Sequence, residues 1–226
     1  MWMLALLAPL VLADHVADAG DGPRPSPVQN TWQLQFEFVS NPMRIEVGGQ
    51  TYWYMLYRVT NPNPEPVHFF PFFTIVTEDL QVFTTDIGIP DGVFNQIAGR
   101  HRPQFPDLVS PIRAIDDLRS GEDYARESVA IWHDAKLTGN NFTVYVAGLS
   151  GETQTIRKPA VKGAAVGGAT DNSAAAAAGA SAAKSTKERE QFTLRKTLEI
   201  RYTLPGSQIG KTAGEPYRVE TQWVMR

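Results

Sequence analysis

Cysteine is absent from the 226 residues, which excludes disulfides, thiolate nucleophiles, thiolate metal sites and a lipid-modified N-terminal cysteine. Stability must therefore come from packing, and a chain of this length can bury a core without covalent staples. Charge of one sign is also lacking: the formal net charge is -3, with Lys and Arg scattered among Asp and Glu, so there is no electrostatic footprint for nucleic acid. No apolar run reaches the roughly 20 residues of a membrane span, and no transmembrane span is expected in the mature chain. Only four histidines are present, and none sits in a ligand or catalytic motif. No cofactor is implied.

Export is the reading of the N-terminus. Trp2 to Ala13, WMLALLAPLVLA, has the length of a signal-peptide core and ends in small residues, so 1–13 is a signal peptide with cleavage expected after Ala13. The n-region departs from the pattern in carrying no Lys or Arg. A secreted or periplasmic location follows. Residues 14–30 are rich in Asp, Gly and Pro and hold too little apolar surface to offset the entropy of ordering, so a disordered lead-in is expected there.

Residues 31–226 read as one β domain. Trp32, Leu34, Phe36 and Phe38 alternate with polar residues over Trp32–Ser40, giving a strand with one core face. A strand at Met43–Val47, a Gly48-Gly49 turn and a strand at Tyr52–Thr60 follow, the last apolar on both faces and hence a candidate central strand. The Asn-Pro-rich stretch after it cannot continue a strand, and Phe69–Thr77 then pairs with Gln81–Thr85 across Glu78-Asp79-Leu80. Between Ile87 and Ser120 two short helical turns are expected, one capped by Asp91, carrying Val93, Phe94 and Ile97 and ended by Gly99. The other opens at Ser110-Pro111 and carries Ile112, Ile115 and Leu118. Tyr124–His133 and Phe142–Leu149 read as a hairpin around Gly139-Asn140-Asn141, followed by a strand at Thr153–Arg157.

Residues 162–190 are almost wholly Ala, Gly, Ser and charge, a flexible loop inserted within a hairpin. Its removal should leave the fold intact, since loop closure costs only about 0.6 kcal/mol per doubling of length. Phe192–Leu204 and Tyr217–Arg226 close the chain as a strand pair, with Tyr217, Val219, Trp223 and Met225 on one face. Eight to ten such strands without strand-helix alternation make an all-β, antiparallel sandwich with one or two short helices.

The Tyr/Trp-rich strand ending in Val59-Thr60-Asn61, the segment Phe142 to Gly151 and the final YRVETQWVMR together resemble the uncharacterised immunoglobulin-like β-sandwich proteins that bacteria secrete. No Cys-Trp-Cys triad accompanies them. The resemblance implies an extracytoplasmic sandwich and carries no catalytic residue.

Several groups are weighed as sites. Arg100, His101 and Arg102 lie in the Pro-punctuated segment and could bind an anion or a partner's carboxylate; as a solvated turn they need no function. Tyr52, Trp53, Tyr54 and Trp132 would form a sugar-stacking platform if exposed, but aromatics at strand spacing are more often core. His133 and Asp134 could join a metal site if His101 came near; His68 reads as packed, and His15 lies in the lead-in. Ser150 lacks the second glycine of a nucleophile elbow, because Glu152 stands there. The pairs Glu78-Asp79, Asp116-Asp117 and Glu122-Asp123 read as solvated turns before glycosidase carboxylates, and Asn141-Phe142-Thr143 fits a glycosylation sequon. The expectation is an exported non-enzymatic protein acting on a protein or cell-envelope partner. The alternatives are a carbohydrate-binding module using Trp and Tyr, and a hydrolase with its site in Ile87–Ser120.

Overall fold

The computed structural model describes residues 22–85, 89–133, 137, 139–157, 191–205 and 215–226. The segment expected to be a signal peptide, its expected cleavage point, His15, Asp134 and the flexible loop expected at 162–190 lie outside the described residues. The strands are β1 (Gln35–Phe38), β2 (Met43–Val47), β3 (Gln50–Thr60), β4 (Val67–Phe69), β5 (Phe72–Thr77), β6 (Val82–Thr84), β7 (Asp116–Leu118), β8 (Arg126–His133), β9 (Asn141–Ala147), β10 (Thr153–Arg157), β11 (Gln191–Thr203) and β12 (Tyr217–Met225). Helices α1 (Asp91–His101) and α2 (Pro111–Ala114) sit between β6 and β7.

Two antiparallel sheets share most of the strands. In the first, β3 pairs with β1, β2 and β8. In the second, β6, β5, β9 and β11 follow in order, and β11 also takes β10 and β12. Trp53, Met55, Tyr57, Val59 and Trp132 of the first sheet meet Phe73, Ile75, Val144, Ile200 and Tyr202 of the second in one buried cluster. This packing fits a β-sandwich, whose layers hide their apolar faces against each other. The opposite face of β3, with Tyr52, Tyr54 and Leu56, joins Val129 and Ile131 of β8 under Val93 and Ile97 of α1. Double-sided burial of β3 thus has two causes, the second sheet on one side and a helical cap on the other.

The strand expected at Trp32–Ser40 is divided between sheets. Val146 opposes Leu198 while Thr153 opposes Arg195, so the residues between β9 and β10 bulge out of the ladder. Into that bulge the Leu34 N–H donates to Leu149 O at 2.8 Å and the Gly151 N–H to Trp32 O at 3.0 Å, after which β1 crosses to β3. A strand that changes sheets makes a sandwich corner.

Four other expectations change. Gly139-Asn140-Asn141 does not close a β8–β9 hairpin, since β8 pairs with β3 and β9 with β5 and β11; turn residues bend the chain but do not choose the partner strand. Phe69–Thr77 is broken at Pro71, which has no N–H to give a ladder, so β4 pairs separately with β7. Leu118 belongs to β7 and not to the second helical turn, and α1 has Pro90 at its N-cap and runs past Gly99 to His101. In β12 a register shift between Arg201 and Tyr202 sets Arg218 opposite Tyr202, which turns Tyr217 and Val219 outward and leaves Trp223 on the core side.

Part of the stretch expected to lack order is held in place. The Ser26 N–H donates to Glu152 Oε1 at 2.6 Å, and Glu152 Oε2 lies 3.1 Å from Lys196 Nζ with both side chains nearly buried.

Candidate functional site

The segment between β6 and β8 lies across the outer face of the first sheet and is concave. Pro111 opens α2, as its fixed φ and missing N–H favour, and Pro90 does the same service just before α1. Between the two helices is a cleft of about 550 Å³, walled by Ile89, Phe94, Ile112 and Ile115 and floored by Ile131 of β8. Ile112 stands 78% exposed at its mouth, where an aliphatic side chain gains nothing from water. Among the described residues Asp91 is the single charged one of the lining, with Asn95 and Ser110 as neutral polar groups.

At the other end of α1 the cationic triplet divides. His101 Nε2 lies 3.0 Å from the Tyr54 hydroxyl, and Arg100 donates to that same oxygen at 3.3 Å, while Arg102 is exposed just past the last helical turn. Burial, assisted by the Arg100 charge, holds the His101 pKa below its ordinary 6.5, so its neutral ring accepts the Tyr54 proton. Two of the three residues are thus used to seat the helix on β3. The Arg100 charge in the last turn also suits the helix dipole.

Trp53 and Trp132 are not a platform. Trp53 is 6% exposed and Trp132 is fully buried, and both face the second sheet. A sugar cannot stack on them without opening the sandwich, so the carbohydrate reading loses the residues it was built on. Tyr52 and Tyr54 are likewise buried, under the helical cap. His133 packs its ring 5.2 Å from Tyr52, and His68 forms an exposed pair with Asp117 at 2.9 Å. Among the described residues no group of three His, Cys, Asp or Glu side chains is arranged to hold a metal.

Glu78-Asp79 holds a turn, whereas Asp116-Asp117, expected in a solvated turn, belongs to strand β7. Glu78 accepts the Asn140 N–H at 2.9 Å and the Asn141 amide at 2.5 Å, Asp79 accepts from Thr77 and Gln81, and Glu122 reaches Arg58 at 3.5 Å. Ser150 accepts the Glu152 N–H at 3.2 Å inside the bulge. Asn141 also accepts from the Thr203 hydroxyl at 2.8 Å, so its amide is committed to the strand end.

The cleft lies within the Ile87–Ser120 segment, and of the residues expected on its second helical turn Ile112 is exposed while α2 ends at Ala114, before Ile115. A usable signal was the apolar character of both faces of Tyr52–Thr60, which demanded a cover on each side. Comparison with protein-family models, curated proteins and solved structures finds no match. Among the described residues no helix is long and apolar enough to cross a membrane.

Proposed function

We propose that this chain is an exported, non-enzymatic, immunoglobulin-like β-sandwich that holds an apolar segment of a partner protein in the cleft between α1 and α2. The observation that carries the reading is the solvent-open aliphatic cleft resting on the rigid face of β8, with Ile112 projecting at its mouth. Its volume is that of a ligand site, for which about 300–1,000 Å³ is usual. Asp91 at the rim favours a neutral or cationic segment and opposes a fatty acid or phosphorylated headgroup, whose anion would sit against the carboxylate. Against catalysis stands the engagement of His101 by Tyr54 and of Glu78 by the Asn140 N–H and the Asn141 amide. The apolar N-terminal run supports export.

Selection of displayed peptides on the intact protein tests the cleft. Enriched peptides should share an aromatic or aliphatic anchor, and Ile112→Asp should weaken them at least about tenfold, equivalent to ~1.4 kcal/mol, while melting is unchanged. Equal binding to both proteins would remove the proposal. Fractionation of the expressed full chain, with N-terminal sequencing, tests export separately; an intact Met1 in the cytosol refutes it.

A further inference from the structure

A second concavity, of about 570 Å³, lies between residues 29–32 and 63–67. Its frame is rigid before any ligand arrives. The fully buried Asn61 donates to Glu65 O at 2.8 Å and Leu118 O at 2.9 Å, and its Oδ1 accepts the Asn63 N–H at 2.9 Å. Asn63 in turn donates to Gln33 O at 3.0 Å, which ties the turn to the start of the chain's first sheet segment. Trp32 is seated by Gly151, where a Cβ would lie 2.5 Å from its indole nitrogen. A frame fixed in this way spares a ligand the entropy of ordering it.

The lining combines Trp32, Pro64 and Pro66 with the polar side chains of Gln29, Asn30, Thr31, Asn63 and Glu65. Gln29 Nε2 donates to Thr31 O at 3.1 Å, leaving its Oε1 to accept, and Glu65 contributes an exposed carboxylate. Among the described residues no Lys, Arg or His lines the cleft, so an anionic ligand finds no counter-charge there and meets Glu65. A purely apolar ligand would desolvate these acceptors without replacing their hydrogen bonds. A proline-rich peptide could lie on Trp32 but, with no N–H on its prolines, has nothing to donate to Glu65 and Gln29 Oε1. What remains is a ligand with an apolar face and several hydroxyl donors. We infer that the cleft binds a neutral oligosaccharide, one ring laying its C–H face on Trp32 while its hydroxyls donate to Glu65 and Gln29.

This site shares no residue with the α1–α2 cleft and stands or falls apart from it. The test is an amide and indole NMR titration of the full chain with cellohexaose, maltohexaose, xylohexaose and chitohexaose. One of these should give saturable shifts at the Trp32 indole N–H and the Gln29 side-chain amide. Glu65→Gln, at an exposed position, should weaken that sugar about tenfold, the loss of one charge-assisted hydrogen bond, and Ile112→Asp should leave it unchanged. Trp32→Ala should abolish binding; because it also loosens the contact with Gly151, Glu65→Gln is the deciding variant. Shifts from none of the four sugars, undiminished binding by Glu65→Gln, or the same resonances moved by a proline decamer would overturn the inference.

Discussion

Lys196 should be the most informative single substitution for the fold. It lies on the core side of β11, 6% exposed, with its ammonium 3.1 Å from Glu152 and 5.3 Å from the Trp223 ring. Lys196→Met keeps the stem and removes the charge, so the Glu152 carboxylate is left with the Ser26 N–H alone. Breaking a buried pair from one side costs ~3–5 kcal/mol, and the lower figure applies because each side chain keeps a small exposed fraction. About 3 kcal/mol corresponds to a melting temperature lower by ~6–12 °C in a protein of this size. Adding Glu152→Gln should recover much of the loss, since the double variant has no unpaired charge. The Ser26 hydrogen bond, supported by Lys196 and opposed by burial, holds the Glu152 pKa below its ordinary 4.5. The unfolded carboxyl therefore binds its proton first. Its stabilisation is complete above 4.5 and is lost as pH falls through the lower folded value, so Glu152→Gln should flatten the acid limb of the stability profile. A melting point for Lys196→Met within ~2 °C of the parent, or strict additivity of the two substitutions, would refute the reasoning.

Three further outcomes are expected. Trp132→Ala should cost ~3–5 kcal/mol by denaturant titration, because a fully buried indole is replaced by a cavity; an unchanged midpoint would put Trp132 outside the core. Gly148→Ala should lower stability by ~1–3 kcal/mol or more, since φ is +87° and a Cβ would collide with the carbonyl of Phe70, whereas Gly22→Ala, with open space around it, should be silent in the same melts. For His101 the sign follows from a folded pKa below 6.5: its contribution is intact above that value and declines as pH falls beneath it. Thermal melts between pH 7.5 and 5 on parent and His101→Gln should therefore diverge at the neutral end and converge at the acid end; parallel curves would deny the Tyr54 contact its role.

Much of the β architecture is decided by local chemistry alone. The aromatic and aliphatic run of Tyr52–Thr60 and the paired glycines at Gly48 and Gly49, both with positive φ, that turn β2 into β3 follow from strand propensity and turn chemistry. Proline at 71 and 111 likewise acts through its own ring and missing N–H, independent of what surrounds it.

Which strand lies beside which depends on distant chain, and so does exposure. Trp53 reads alike as core or platform until the second sheet is set over it, and Ile112 reads alike as core or rim until α2 proves too short to turn it inward. Lys196 and Glu152 meet only because the chain rejoins β11 after the bulge that follows β9, where the Lys196 N–H donates to Glu152 O at 3.0 Å, and Trp32 becomes part of a cleft only because Gly151 leaves room for its indole. The sequence by itself determined period, turns and strand content, which are properties of neighbouring residues. Tertiary structure alone decided burial, charge pairing and clefts, because each is a relation between surfaces that covalent order does not bring together.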